Sequence, residues 1–254
     1  MDETTPSSPA PAIIHTVGDP GSRKRLTPPA AVHYPGTGLF DHIARVVCLA
    51  DCMPRKELFE AWETARRTRR RLHGGRVVDL AAGHGLLAFM MLLIDDTSPC
   101  AIAVDIRKPG MHDKLAAAFV AEWPHLKGRV TFIEGRLESV ELFPTDVVVS
   151  AHACGHLTDH IIDMAIAARA GVAVLPCCHV TYAHHPLVSW MAPDLCVDVD
   201  RAHRLMAAGY EVRAQKIPEN VTPKNRLLIG VPTKKPPQHP RHARGRWAAP
   251  PPLK

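Results

Sequence analysis

The sequence has few aromatic residues and no long hydrophobic run. Aromatic residues make up 5% of the 254 residues, and the longest uninterrupted apolar run covers only Leu86–Ile94. A helix that crosses a bilayer needs about 20 apolar residues, so this run is too short to span a membrane. The acidic, polar first residues also lack the basic and apolar regions of a signal peptide. We therefore expect a soluble, cytoplasmic protein with no membrane partner.

Cysteines in disulfide or zinc-finger spacing are also missing. The seven cysteines are an odd number, two of them are adjacent, and no C-x-x-C pair has a partner pair. This pattern does not match a disulfide framework and favours reduced thiols.

Most of the chain has no excess of charge of either sign. The formal net charge is +6, and residues 232–254 alone carry six basic and no acidic residues, so the remainder is neutral. Seven of the 24 prolines lie in residues 1–35 and seven in residues 232–254. We predict disordered Pro-rich tails at 1–35 and 233–254 and one ordered domain at 36–232.

The central part of the chain alternates strand and helix patterns. Helical spacing at 39–49 and 54–72 predicts a helical N-terminal extension, and a later helix is expected at 158–170, capped by its first residue, a threonine. From residue 76 to residue 175, five short strand patterns alternate with helix patterns. Two more strand patterns follow, at 211–217 and 225–231, which are too close for an intervening helix. This order predicts an α/β fold: a Rossmann-like, doubly wound sheet that is mostly parallel with an antiparallel C-terminal edge strand.

Five arginines lie near the end of the second predicted helix: Arg66, Arg67, Arg69, Arg70 and Arg71. They are compatible with a solvated helix end, where cations favour the negative end of the helix dipole. A contact surface for nucleic acid is the other interpretation.

A glycine-containing turn after the first strand predicts a nucleotide-cofactor site. The sequence there reads V-V-D-L-A-A-G-H-G, and Gly83 and Gly85 let the backbone approach a ligand. Asp105 ends the second strand, where a carboxylate can accept hydrogen bonds from both hydroxyls of a ribose. Asp79 lies at the end of the first strand, four residues before Gly83, where it could face the cationic amine of a bound ligand.

Two cofactor classes share this pattern. Residues 83–88 match the dinucleotide fingerprint G-x-G-x-x-G/A, which alone is a weak signal. S-adenosyl-L-methionine is favoured over NAD because its methionine part has an amine that Asp79 could face. The C-terminal strand pair also suits a methyltransferase sheet. Finally, the chain has no second domain that could hold the substrate of a hydride transfer. We predict further cofactor contacts from Arg136, after the third strand, and Ser150, at the end of the fourth.

Residues 79–85 followed by Asp105 resemble motif I and the post-I acid of class I S-adenosylmethionine-dependent methyltransferases. Residues 152–159, H-A-C-G-H-L-T-D, and 175–178, L-P-C-C, are similar to two signatures of a narrower methyltransferase-like group. That group includes the glutathione-S-transferase C-terminal-domain-containing protein and a tRNA 2′-O-methyltransferase with zinc-binding modules. The resemblance covers about residues 55–231. It implies a class I methyltransferase fold and activity without naming the methyl acceptor.

Candidate catalytic residues follow the fourth and fifth predicted strands, because ligands of a doubly wound sheet bind beyond the carboxyl ends of its strands. His152 is the first candidate for a base or an acceptor-orienting group, since an imidazole titrates near neutrality. Asp159 is expected either to orient His152 or to cap the following helix.

Cys154, Cys177 and Cys178 allow three interpretations. The plainest is packing of small, buried residues at strand ends. Methylation at a pyrimidine C5 would instead need a thiolate nucleophile, with Cys154 and either Cys177 or Cys178 as the candidates. The third interpretation is a zinc site that also uses His152 and His179. We predict no metal here, because paired C-x-x-C motifs are missing.

The predicted function is transfer of a methyl group from S-adenosyl-L-methionine to an unidentified acceptor. RNA is the first choice, because of the basic C-terminal residues and the arginines near 66–71. Protein and small-molecule acceptors stay open. The alternatives are a catalytically silent Rossmann-like module that binds RNA or protein and, third, an NAD-dependent oxidoreductase.

Overall fold

The computed structural model describes residues 18–179 and 185–234, which form a seven-stranded sheet with helices on both faces. The strands are β1 (Val77–Leu80), β2 (Ala101–Asp105), β3 (Val130–Glu134), β4 (Val147–Ala151), β5 (Gly171–Leu175), β6 (Tyr210–Lys216) and β7 (Arg226–Pro232). The α-helices in these ranges are α1 (Leu39–Ala50), α2 (Arg55–Thr68), α3 (Leu86–Ile94), α4 (His112–Glu122), α5 (His156–Ala168) and α6 (Pro193–Ala207). None of the helices in this described part combines the length and apolar character that a bilayer span requires.

The strand order in the sheet is β3-β2-β1-β4-β5-β7-β6. Strands β1 to β5 pair in parallel, and β7 is antiparallel to both of its neighbours. The predicted Rossmann-like, mostly parallel α/β sheet with an antiparallel C-terminal edge is confirmed. The last strand in the sequence, β7, lies inside the sheet because it pairs with β5, and β6 is the strand at the edge.

Two apolar cores cover the two faces of the sheet, since successive strand residues point to opposite faces. Val77 and Val147 belong to the core that includes α1 to α4, whereas Val78 and Val148 belong to the core on the side of α5. Helix α3 is apolar nearly all round because it packs against both α2 and the sheet.

Helix α5 begins earlier than the sequence indicated. Gly155 occupies the N-cap position, so the helix starts at His156. The hydroxyl of Thr158, predicted to cap the helix, instead donates a hydrogen bond to the Ala153 carbonyl oxygen at 2.6 Å. This contact ties the first turn of α5 to the loop that follows β4.

Residues 18–35 pack onto the domain, so the predicted boundary at residue 36 is wrong for this segment. Leu26 and Tyr34 are each 1% exposed. The backbone N–H of Leu26 also donates to the Met53 carbonyl oxygen at 2.9 Å. Composition missed this because two buried side chains anchor a segment that is otherwise polar and Pro-rich. Residues 1–17 and 235–254, which make up most of the predicted tails, lie outside the described residues.

The arginine cluster of α2 does not form one exposed basic surface. Arg66 and Arg67 both pair with the buried carboxylate of Glu63, and Arg69 is 3% exposed and donates to a backbone carbonyl and a hydroxyl. The last two arginines of the cluster are exposed. The chain then enters the amino end of β1. The cluster therefore lies near the amino ends of the parallel strands, on the opposite side of the domain from their carboxyl ends.

Candidate functional site

Two clefts meet at Ala81, at the carboxyl end of β1. The Asp79 cleft, of about 310 Å³, is lined by residues that include Met53, Glu57, Asp79, Gly83, Ala151 and His152. The Asp105 cleft, of about 560 Å³, is lined by residues that include Asp105, Ile106, Arg136, Leu137, His156 and His160. The turns after β1, β2, β3 and β4 therefore contribute to one continuous region.

The turn after β1 depends on unusual backbone angles. Ala81, Gly83 and Gly85 have φ values of +56°, +53° and +77°, in the left-handed region that glycine adopts most readily. A Cβ at Gly83 would meet no atom within 4 Å, whereas one at Gly85 would lie 3.3 Å from the Cβ of Ala103. Gly83 therefore leaves open space on the cleft side, and Gly85 lets α3 start close to β2.

Asp79 is a buried acid of the Asp79 cleft. Its side chain is 1% exposed, and its Oδ2 has no hydrogen-bond partner among the described residues. Burial, with a smaller contribution from nearby Asp105, raises the pKa of Asp79 to about 8. A buried carboxylate oxygen without a partner is unfavourable, so a cationic ligand in this cleft would relieve the cost.

Asp105 lies between the two clefts. Its Oδ2 accepts a hydrogen bond from the backbone N–H of Gly83 at 2.8 Å. Ile106, the next residue, is apolar yet 71% exposed beside it. A carboxylate next to an exposed apolar side chain fits a ligand that carries both hydroxyl groups and a flat ring, as a nucleoside does.

The two other predicted cofactor residues differ in position. Arg136 lines the Asp105 cleft, with its Nε 3.5 Å from an oxygen of Glu138. Ser150 is 1% exposed and does not belong to the lining of either cleft. Its hydroxyl oxygen is buried and has no hydrogen-bond partner among the described residues, and a direct cofactor contact from Ser150 stays a prediction.

His152 faces an acid that the sequence did not single out. Its φ is +80°, and its Nε2 lies 3.1 Å from Oε2 of Glu60 on α2. The Glu60 side chain is only 2% exposed. Burial raises the pKa of Glu60, but contacts with His152 and Lys56 outweigh it and hold that pKa below its ordinary value. An ionised carboxylate therefore adjoins the imidazole at ion-pair distance.

The helical extension contributes directly to the site, although the sequence assigned it no role. Glu57 lines the Asp79 cleft and Glu60 contacts His152. The sequence does contain one signal for this role, which is an acid on the buried face of an amphipathic helix. A buried carboxylate needs a partner, so such an acid points to a polar contact. The partner lies 92 positions away in the chain, so only the packing of α2 over the sheet identifies it.

Asp159 is directed towards α6 and neither orients His152 nor caps α5. Its carboxylate accepts hydrogen bonds from Arg201 at 2.9 and 3.1 Å and from Arg204 at 3.0 Å. Arg201 is 1% exposed and also donates to the Gly155 carbonyl oxygen at 3.1 Å. Asp159 therefore stabilises the loop between β4 and α5 through a buried arginine.

The structure brings Cys154, Cys177 and Cys178 together as free thiols. Their three sulfur atoms lie within 4.8 Å of one another. Cys154 and Cys178 are exposed, so burial of small side chains does not explain them. Burial raises the pKa of the Cys177 thiol above its ordinary value, which makes Cys177 a poor nucleophile for covalent catalysis.

The two histidines of the hypothetical zinc site point elsewhere. The imidazole of His152 lies beside Glu60, as described above. His179 has its Nε2 2.7 Å from the carboxylate of Asp198 on α6. The thiols therefore gather without either imidazole.

Comparisons with known proteins identify the family. A family model described as a methyltransferase domain matches residues 56–185. The glutathione S-transferase C-terminal domain-containing protein of Homo sapiens is 27% identical over 125 residues, covering 34% of this chain and 20% of that protein. The Bos taurus protein of the same name is 24% identical over 198 residues, covering 63% of this chain and 29% of that protein. The chain thus spans less than a third of these relatives.

Solved structures with a similar fold include an O-methyltransferase family protein from Burkholderia thailandensis, with a TM-score of 0.46 and 17% identity over 76% of this chain and 60% of that chain. Human N-acetylserotonin methyltransferase in complex with SAM has a TM-score of 0.44 and 13% identity over 76% of this chain and 56% of its own. At these identities the likeness concerns the fold alone. The resemblance to class I methyltransferases, and to the group with the glutathione-S-transferase C-terminal-domain-containing protein, is confirmed.

We expect Asp79→Asn to stabilise the ligand-free protein more at about pH 9 than at about pH 5. Because burial raises the folded-state pKa of Asp79 from 3.8 to about 8, its protonated form supports folding at low pH, and this contribution is lost as the pH rises through about 8. Asparagine cannot ionise and removes that loss. Urea unfolding at several pH values measures the difference.

The exposed Asp96→Asn variant is the control, and its stability should follow that of the parent at every pH. An Asp79→Asn variant with the parent's pH dependence would contradict the assignment of a buried, neutral carboxyl group.

Proposed function

Because the chain belongs to the methyltransferase-domain family whose model matches residues 56–185, we propose that it is an S-adenosyl-L-methionine-dependent methyltransferase that acts on RNA. One observation carries the cofactor assignment: a buried oxygen of the Asp79 carboxyl group, which has no hydrogen-bond partner within residues 18–179 and 185–234, lies beside the open space at Gly83. A ligand with a cationic amine satisfies that oxygen, whereas a nicotinamide dinucleotide has no such amine.

The residues of the two clefts fit the parts of this cofactor. Asp79 would accept a hydrogen bond from the amine, Asp105 would accept hydrogen bonds from the ribose hydroxyls, and Ile106 would pack against the adenine. Gly83 leaves room for the ligand next to the backbone. When bound, S-adenosyl-L-methionine supplies an activated methyl group on a sulfonium.

His152 and Glu60 act on the methyl acceptor. With Nε2 of His152 next to the Glu60 carboxylate, Nδ1 is the ring nitrogen left for the acceptor. The carboxylate occupies one side of the ring, so Nδ1 is the atom that would take a proton from a hydroxyl or amine. The wall formed by α2 helps to keep water from the acceptor, which favours in-line methyl transfer.

A basic cleft beside these residues supports an RNA acceptor. Arg23, Lys56 and Lys224 line a cleft of about 490 Å³ next to Cys178, against two acidic residues. Two of these cations also pair with acids, Lys56 with Glu60 and Lys224 with Asp194. Residues 235–254 add five basic residues and no acidic ones. Phosphate groups of a nucleic acid bind such cations, and the affinity then falls with salt. The arginines near 66–71 are left out of this proposal, because they lie at the opposite edge of the sheet.

The cofactor assignment predicts that Gly83→Val abolishes binding of S-adenosyl-L-methionine, because the new side chain enters the open space of the cleft. Asp105→Ala should weaken binding by roughly 1–3 kcal/mol, the cost of an unpaired hydrogen-bonding group. Isothermal titration calorimetry measures both effects. The matched control is Gly128→Val, since Gly128 also has a positive φ, +75°, and nothing within 4 Å of a Cβ.

Normal binding by a folded Gly83→Val variant would show that the cofactor lies elsewhere. If the parent binds no S-adenosyl-L-methionine, a catalytically silent module replaces the enzyme as the better interpretation. Binding of NADH, followed by its fluorescence, would instead favour an oxidoreductase.

The acceptor assignment predicts that tritium from labelled S-adenosyl-L-methionine enters the RNA fraction of a cell extract and is released by ribonuclease. Removal of residues 235–254 should leave labelling detectable and reduce the salt dependence of RNA binding. The loss of five basic residues corresponds to a slope change of at most about 3.5 for single-stranded RNA. Label that enters only protein or small molecules would exclude RNA as the acceptor.

On the acceptor so identified, His152→Ala and Glu60→Gln should each lower turnover by about 10²–10⁴-fold, the range for general acid–base groups, with little change in cofactor affinity. Glu63→Gln is the matched control, because Glu63 is a buried, paired acid one turn along the same helix. Glu63→Gln should change stability but not turnover per folded molecule. Full activity of Glu60→Gln would remove Glu60 from the mechanism.

A further inference from the structure

We propose that Cys154, Cys177 and Cys178 bind one zinc ion beside the acceptor site. The proposal stands on the three thiols and does not require methyltransferase activity. It goes against the sequence-based expectation of no metal, which rested on the missing C-x-x-C pairs. The ligands come instead from two loops that are distant in sequence and adjacent in space.

Strand pairing places these thiols together before any ion binds. Ala151 and Leu175 are partners at the ends of β4 and β5, so the two loops that follow run side by side. The backbone N–H of Gly155 donates to the Cys178 carbonyl oxygen at 3.2 Å and ties the loops together. Because the backbone already fixes the loops, the thiols need little further ordering to bind a metal.

The spacing of the donor atoms suits a single tetrahedral ion. Zinc–sulfur bonds of about 2.3 Å and tetrahedral angles place two sulfurs about 3.8 Å apart. The sulfur of Cys177 lies 3.2 Å from that of Cys154 and 3.7 Å from that of Cys178. The sulfurs of Cys154 and Cys178 lie within 4.8 Å of each other, so changes of up to about 1 Å in the sulfur–sulfur distances would bring all three to ideal positions.

The carbonyl oxygen of His152 lies next to the fourth position of such a site. It is 3.5 Å from the sulfur of Cys154 and 3.6 Å from that of Cys177. An oxygen and a sulfur on one tetrahedral zinc lie about 3.6 Å apart. A bound ion would therefore stabilise the backbone of His152 in its left-handed conformation, at the residue that faces the acceptor.

The charge balance near the thiols also favours a thiolate site. Each thiol loses its proton to solvent on binding, so three thiolates and one Zn²⁺ carry a net charge of −1. Lys56, Lys224 and Arg23 line the same cleft as Cys177 and Cys178. Two acidic residues line it as well, so the cleft carries one cation in excess, which offsets the net charge of −1.

Two other roles explain fewer of the observations. Core packing accounts for buried cysteines, but Cys154 and Cys178 are exposed. A disulfide between Cys154 and Cys177 would use two of the sulfurs and leave the third, Cys178, without a role. A soft divalent cation uses all three, and thiolate ligands select metals such as zinc.

The test measures metal in the full chain, purified without added zinc or chelator, by plasma mass spectrometry. We expect one zinc per chain in the parent and in Cys100→Ser, a control cysteine outside the cluster. Cys154→Ser, Cys177→Ser and Cys178→Ser should each lose most of it. Cobalt added to the metal-free parent should give the sulfur-to-cobalt charge-transfer absorption of a tetrahedral thiolate site, and zinc should displace it.

Cys178→His guards against variants that fail to fold. It keeps a ligand at the same position, so it should still bind cobalt with a weaker charge-transfer absorption. Zinc content that is unchanged in the three serine variants would overturn the site, since the 16 histidines of the chain offer other ligands. Peptide mapping that finds Cys154 and Cys177 joined in the metal-free protein as purified would overturn it in favour of a redox pair.

Discussion

The parallel pairing of β1, β4 and β5 is the constraint on which the whole site depends. Val77 pairs with Val147, and Val147 pairs with Gly171, so the three strands run in step and end at the same edge of the sheet. Their turns must then lie next to one another. This register brings the glycine-containing turn after β1, His152 and the thiols into one region without any long-range motif in the sequence.

The segment after β4 divides its residues between chemistry and support. His152 faces the Asp79 cleft and Cys154 joins the thiol cluster. Thr158 bonds to the loop backbone, and Asp159 holds the buried Arg201 that binds the Gly155 carbonyl. A signature that reads as a set of catalytic residues is therefore partly a set of backbone anchors. The anchors keep the loop rigid, which preorganised catalysis requires.

Polar groups in the site are buried at an energetic cost that a core would avoid. In the part of the chain that the structure describes, Asp79 has a buried oxygen with no hydrogen-bond partner. His152 adopts a left-handed backbone conformation that non-glycine residues seldom occupy. Such features persist where the surrounding fold enforces them, and they cluster at functional sites. Helix α2 forms one side of this surrounding fold, because its residues Glu57 and Glu60 extend into the site.

The sequence by itself determined the fold class and the glycine-containing turn after β1, because strand and helix periodicity and the glycines near Asp79 are local signals. Only the tertiary structure assigned Glu60 to His152 and Asp159 to Arg201, because both pairs depend on how helices pack onto the sheet. Only the tertiary structure showed that Leu26 is buried and which arginines of the α2 cluster are paired with acids. Packing between distant segments sets burial and partners, and no local pattern encodes either.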